Sequence, residues 1–282
     1  MIKNSMSLKA KINNIAKEEN ISPQAVMQTY MLERLLERIS ISKYKDNFIL
    51  KGGMLISSIL GIDSRSTMDM DTTIKGFKLN NEILEKILKE IISIKIDDGI
   101  IFNILSIENI RDDDDYGGNR VHLEAIFNNM PVDLKIDVTT GDKITYKEIE
   151  YKYDLLLENR NINIWTYNIE TILAEKYESV IKRSILNTRI RDFYDIYMLS
   201  SLTKNISEEE LKDAIIETSK HRNTYENINN IDIVNDVIDL IQTNSSLQNQ
   251  WTRYQKNYDY AKDISYLSLI ESIIKIKEIY FK

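Results

Sequence analysis

Between Lys51 and Phe77 the chain reads KGGMLISSILGIDSRSTMDMDTTIKGF. Two adjacent glycines precede an apolar run, and Asp69 and Asp71 follow, one residue apart. Only eight glycines occur in 282 residues, so the pair Gly52-Gly53 asks for a reason. Glycine lets a backbone turn sharply and come close to a ligand. A helix that starts there presents unpaired N–H groups and the positive end of its dipole, the makings of a phosphate cradle. A tight strand-to-helix turn with no ligand explains an isolated Gly-Gly equally well.

Alternation along TMDMD sets Asp69 and Asp71 on one strand face, with Met68, Met70 and Thr72 on the other. In VDLKIDV the same arithmetic puts Asp133, Lys135 and Asp137 opposite Val132, Leu134, Ile136 and Val138. If the two strands are neighbours, three or four carboxylates gather on one side of a sheet. Such a cluster repels itself unless a cation sits among it. Mg2+ is the usual answer, with hard oxygen ligands and waters to spare for a phosphate-bearing substrate. A single D-x-D reads first as a solvated sheet face. A cradle, then D-x-D, then a further strand acid is more specific, and has the layout of two-metal nucleotidyl transfer. No Walker loop is present.

Further on, Lys176 lies within the stripe Ile169, Ile172, Leu173, Val180 and Ser184 of NIETILAEKYESVIKRSI. A lysine there needs an anion or a route to water. A triphosphate, Asp192 or a sheet carboxylate would serve, and so would snorkelling. In RIRDFYDIYML, Asp192 and Asp195 share a helix face, and Asp192 also falls in a first turn, where an acid is favoured anyway. Lys182, Arg183, Arg189 and Arg191 form the densest basic patch. The acids Asp112 to Asp115 read as a solvated hairpin loop, and His122 shares a strand face with Glu124.

The elements that position these residues follow from few breakers: two prolines and eight glycines. Residues 46–140 read as helices and a mixed or mostly antiparallel sheet. From about Asn168 helical periodicity dominates, and 141–167 is a mixed-charge stretch with no clear element. The expected fold class is α+β, with an α/β domain over 1–150 and a helical domain over 151–282 that completes the active-site cleft. Cysteine is absent, so thiol nucleophiles and Cys-based metal sites are excluded. That fits a cytoplasmic protein, as does an N-terminus without an apolar signal core. No apolar run approaches a membrane span. A net charge of −7 excludes a general nucleic-acid coat but not a local basic patch.

Taken together, FILKGGMLISSIL with RSTMDMD, then LKIDV, LAEKYESVIKR and RIRDFYDIY resemble the AbiEii/AbiGii-type toxins. These are abortive-infection nucleotidyltransferases of the polymerase-β-like superfamily. The resemblance covers about 25 to 200, and the cradle here is Gly-Gly where the superfamily often has Gly-Ser. It implies a Mg2+- and NTP-dependent nucleotidyltransferase with a separately encoded antitoxin and an RNA acceptor, the tRNA 3′ end. By the same resemblance Asp69, Asp71 and Asp137 bind metal, and Gly52 and Gly53 hold the triphosphate. Lys176 meets the nucleotide phosphates, Asp192 and Asp195 form the last acidic motif, and Arg65 and Thr67 reach the nucleotide. Two alternatives stay open: transfer to a protein hydroxyl, and a non-catalytic NTP-binding interaction module.

Overall fold

A computed structural model describes residues 4–76, 80–110, 118–202 and 206–282. The loop acids Asp112 to Asp115 lie outside these residues. The chain divides into two compact units: 1–142 with 148–166, and 143–147 with 167–282.

The first unit opens with two helices, α1 (Ser5–Glu18) and α2 (Pro23–Ile41). Ser22 caps α2 by accepting from the Ala25 amide, and Pro23 takes the first helical position, where no N–H is required. Next come β1 (Phe48–Lys51), α3 (Gly52–Leu60), β2 (Asp69–Ile74) and α4 (Asn81–Ile92). A meander of β3 (Ile100–Ile110), β4 (Gly118–Phe127) and β5 (Met130–Thr140) follows, and β6 (Ile149–Asp154) and β7 (Asn161–Thr166) finish the unit. Among the described residues the seven strands form one mixed sheet in the order β3-β4-β5-β2-β1-β7-β6. The pairs β2–β5 and β1–β7 are parallel and the rest antiparallel.

One sheet face is apolar. Met70, Leu134, Ile136, Val138, Val121, Leu123 and Ala125 are buried there. Helix α4 adds Leu84, Ile87, Leu88 and Ile91, a 3.6-residue stripe. Helix α2 is buried nearly all round, including its charges. Arg38 donates to both oxygens of Asp98 at 2.7 and 2.9 Å and to the Ile100 carbonyl. Such pairing is the condition on which a guanidinium can be buried.

The stretch 141–167 is more ordered than its composition suggests. It contributes β6 and β7, and β7 docks in parallel on β1. The expected boundary at 150 therefore falls inside β6, and the described sheet runs on to Thr166.

The second unit is helical: α5 (Ile169–Arg183), α6 (Ile190–Leu202), α7 (Glu208–His221), α8 (Tyr225–Ile228), α9 (Ile231–Thr243), α10 (Ser245–Asn257) and α11 (Tyr266–Phe281). Asn168 and Ser207 cap α5 and α7 through their side-chain oxygens. Among the described residues no helix is long and apolar enough to cross a membrane. The protein is α+β, as its sequence pattern indicates.

Candidate active site

The parallel register of β2 and β5 sets Asp71 opposite Asp137 and Asp69 opposite Lys135. Met70, Thr72, Ile136 and Val138 are buried on the other face, so the alternation holds for both strands. Asp69, Asp71 and Asp137 thus share one side of the sheet. The row through Asp71 is continuous: Lys51 is its partner on β1, Arg120 faces Asp137 from β4, and Glu108 faces Arg120 from β3. Five strands supply a transverse row of charged side chains.

Each carboxylate already has a donor. Arg120 gives Nε to Asp137 Oδ1 at 2.9 Å and Nη2 to Oδ2 at 2.8 Å. That bond raises the Arg120 pKa further, so its positive charge is permanent. Lys135 Nζ stands 2.9 Å from Asp69 Oδ2. The Gly53 amide donates to Asp71 Oδ2 at 3.2 Å, placing that carboxylate at the N-terminus of α3, where the helix dipole favours it. Lys51 pairs with Asp142, which also accepts from Thr139.

The glycines are explained by what stands against them. Gly52 has φ +62°, and a Cβ there would lie 2.0 Å from Asp71 Oδ2. A Cβ on Gly53 would lie 2.7 Å from Thr67 Oγ1 and 2.8 Å from Arg65 Nη1. Gly52, Gly53, Arg65, Thr67 and Asp71 therefore converge at the start of α3. Arg65 is buried and donates to the Ser66 carbonyl, and Thr29 bonds the Thr67 carbonyl.

In kind, the donors fit a hard divalent cation: three carboxylates on one face, with Asp71 beside Asp137. Among the described residues, however, no three His, Cys, Asp or Glu side chains converge closely enough to hold a metal ion. Asp137 is clamped by Arg120, and Asp69 is held by Lys135. His122, in register with Lys135 on the same face, lies 3.9 Å from Glu108.

Within the helical unit, Lys176 finds two carboxylates. Its Nζ lies 2.6 Å from Asp192 Oδ1 and 2.8 Å from Asp195 Oδ2. Asp192 is 2% exposed and Asp195 is fully buried. Arg189 Nε comes within 2.9 Å of Asp192 Oδ2, and its Nη2 donates to Asp192 Oδ1 at 3.4 Å. Of the alternatives for Lys176, the acids of α6 are in direct contact with it. The basic patch is divided: Lys182 is exposed, Arg189 joins Asp192, and Arg191 donates to the Tyr258 hydroxyl at 2.7 Å.

Sequence reasoning passes over Arg120. The signal is there, because Arg120 lies two residues before His122 on a strand whose alternation is clear. Only the β4–β5 register ties it to Asp137.

Among solved structures, the chain is similar to a candidate nucleotidyltransferase of Helicobacter pylori at 17% identity and TM-score 0.48, covering 93% of this chain and 98% of that one. It is also similar to JHP933 of Helicobacter pylori at 19% identity and TM-score 0.47, covering 92% and 94%. An antigenic nucleotidyltransferase-like protein from Paracoccidioides brasiliensis is more distant, at 15% identity, TM-score 0.37 and coverage of 75% and 92%. No curated protein matches. The family described as nucleotidyl transferase AbiEii toxin, type IV TA system, matches residues 34–271, and the chain belongs to this family of nucleotidyltransferase toxins.

Proposed function

We propose that the protein transfers a nucleoside monophosphate from an NTP to an RNA acceptor, the 3′ end of tRNA, with Mg2+ held by Asp69, Asp71 and Asp137. The observation that carries this reading is the register of Asp71 against Asp137, with Gly52 pressed on Asp71. In the reaction the acceptor hydroxyl oxygen bonds to the α-phosphorus, its proton passes to water, and the bond to the pyrophosphate oxygen breaks, releasing pyrophosphate. Bound Mg2+ supplies charge stabilisation for the attacking and leaving oxygens.

The chain's own residues have distinct tasks. Gly52 and Gly53 admit the triphosphate to the start of α3. Arg65 and Thr67, packed against Gly53, contact the nucleotide. Asp137 stands beside the attacking hydroxyl. For Lys176 the family resemblance is the ground for a role at the nucleotide phosphates, and Asp192 and Asp195 fix its ammonium within the helical unit. Blocking the acceptor end of tRNA would stop translation, and a separately encoded antitoxin would relieve the block. The setting is the cytoplasm.

The test is incubation with total RNA, Mg2+ and each α-labelled NTP in turn, beside Asp69→Ala. Label in tRNA-sized RNA with the wild type alone supports the proposal. Label in protein instead moves the acceptor to a protein hydroxyl. No label, with the protein folded, leaves an NTP-binding module.

A further inference from the structure

Three carboxylates on one strand face need compensating charge. Here the sheet supplies it from the same face. Arg120 grips both oxygens of Asp137, in register across β4 and β5, and Lys135 reaches Asp69 across β5 and β2. Neither pair is sealed: the Arg120 and Lys135 side chains are 36% and 31% exposed. A cation that borders water can leave at modest cost, unlike the buried Arg38 with its Asp98.

The two pairs differ in strength. A guanidinium fork on a carboxylate makes two charge-assisted bonds in fixed geometry, whereas an ammonium makes a point contact. Asp137 is also less exposed than Asp69, at 22% against 45%. Of the two, Asp137 is therefore held more firmly by its counter-ion, and both of its oxygens are engaged.

We propose that Arg120 is a positioning residue that acts as the displaceable counter-ion of Asp137, competing with the divalent cation for that carboxylate. Without the cation, it holds Asp137 in a fixed orientation through both carboxylate oxygens. As the cation binds, the guanidinium moves off toward solvent, so the site fills only above a cation level that Arg120 sets. Lys135 does the same for Asp69, more weakly. This rests on Asp69, Asp71 and Asp137 being the cation ligands.

The test uses Mn2+ alone as probe, with free Mn2+ followed by electron paramagnetic resonance, and needs no turnover. The wild type, Arg120→Gln, Arg120→Lys and Asp137→Asn are compared after circular dichroism confirms folding. Arg120→Gln is expected to bind Mn2+ about two- to fivefold more tightly than the wild type, the scale of a partly exposed ion pair. Arg120→Lys, which keeps the charge, should fall between them, and Asp137→Asn should bind more weakly than the wild type. The sign separates the outcomes, because general damage to the site weakens binding, whereas loss of a cation that opposes the metal at Asp137 strengthens it. Unchanged or weaker binding by Arg120→Gln, with Asp137→Asn still weakened, overturns the role of Arg120 and leaves the carboxylates as ligands. Mn2+ binding that is absent, or indifferent to Asp137→Asn, overturns the ligand reading and this inference with it.

Discussion

Gly52 and Asp71 exclude any side chain between them: a Cβ on Gly52 would stand 2.0 Å from Asp71 Oδ2, and the residue sits at φ +62°. The conformation and the contact both demand glycine, and both act on a carboxylate of the charged row, between Lys51 and Asp137. Gly52→Ala should cost roughly 1–2 kcal/mol for the left-handed backbone alone. It should also push Asp71 out of register and reduce nucleotide transfer by more than about a hundredfold, as misplacement of a reacting group does. Gly53→Ala meets only the ends of the Arg65 and Thr67 side chains and should melt closer to the wild type. Thermal unfolding of both variants, with transfer rates, checks the order.

Lys176 is the ammonium shared by Asp192 and Asp195, both buried. Lys176→Met leaves two like charges facing each other, and should destabilise the protein by about 3–5 kcal/mol. Adding Asp195→Asn should recover part of that loss without restoring transfer. A double-mutant cycle by urea unfolding, with activity measured alongside, separates the lysine's structural work from its proposed role at the phosphates. Recovery of activity in the double variant would remove that role.

Glu33 is a buried acid on α2 that accepts from the Leu156 amide and the Tyr153 hydroxyl. Burial raises its pKa from 4.5 to about 8, against the lowering effect of the Leu156 bond and of Arg34. Between those two values the folded protein keeps a proton that the unfolded chain releases, so stability falls as pH rises through this window. Glu33→Gln should flatten the decline in melting temperature between pH 5 and pH 8.5, and should exceed the wild type at the alkaline end. A variant that melts lower than the wild type at pH 8.5 would mean that ionised Glu33 stabilises the fold.

How far the sequence reveals the site depends on the range of each signal. Alternation is local, so the shared faces of Asp69 with Asp71 and of Lys135 with Asp137 are legible in TMDMD and VDLKIDV. Their meeting is not, because the β2–β5 register joins residues more than sixty positions apart. The same limit hides Arg120, whose partner is chosen by a strand pairing. The helix over 23–41 is announced by Ser22, Pro23 and a long apolar stripe. The strands at 149–154 and 161–166 are short, and charged or Asn-rich on their open side. Ile162 and Ile164 alternate inward, but two residues make a faint period. Lys176 shows the opposite difficulty. The sequence offers several anions for it, and only packing selects Asp192 and Asp195.

The central claim is that the carboxylates of the β2–β5 row carry the transfer chemistry. The most direct measurement is the initial rate of label transfer from α-labelled NTP to RNA by Asp71→Asn and Asp137→Asn. Each variant must first melt within a few degrees of the wild type. The predicted result is a loss of about a thousandfold or more in each, on the scale of removing a principal electrostatic contact of a transition state. Transfer within tenfold of the wild type by either folded variant would contradict the account.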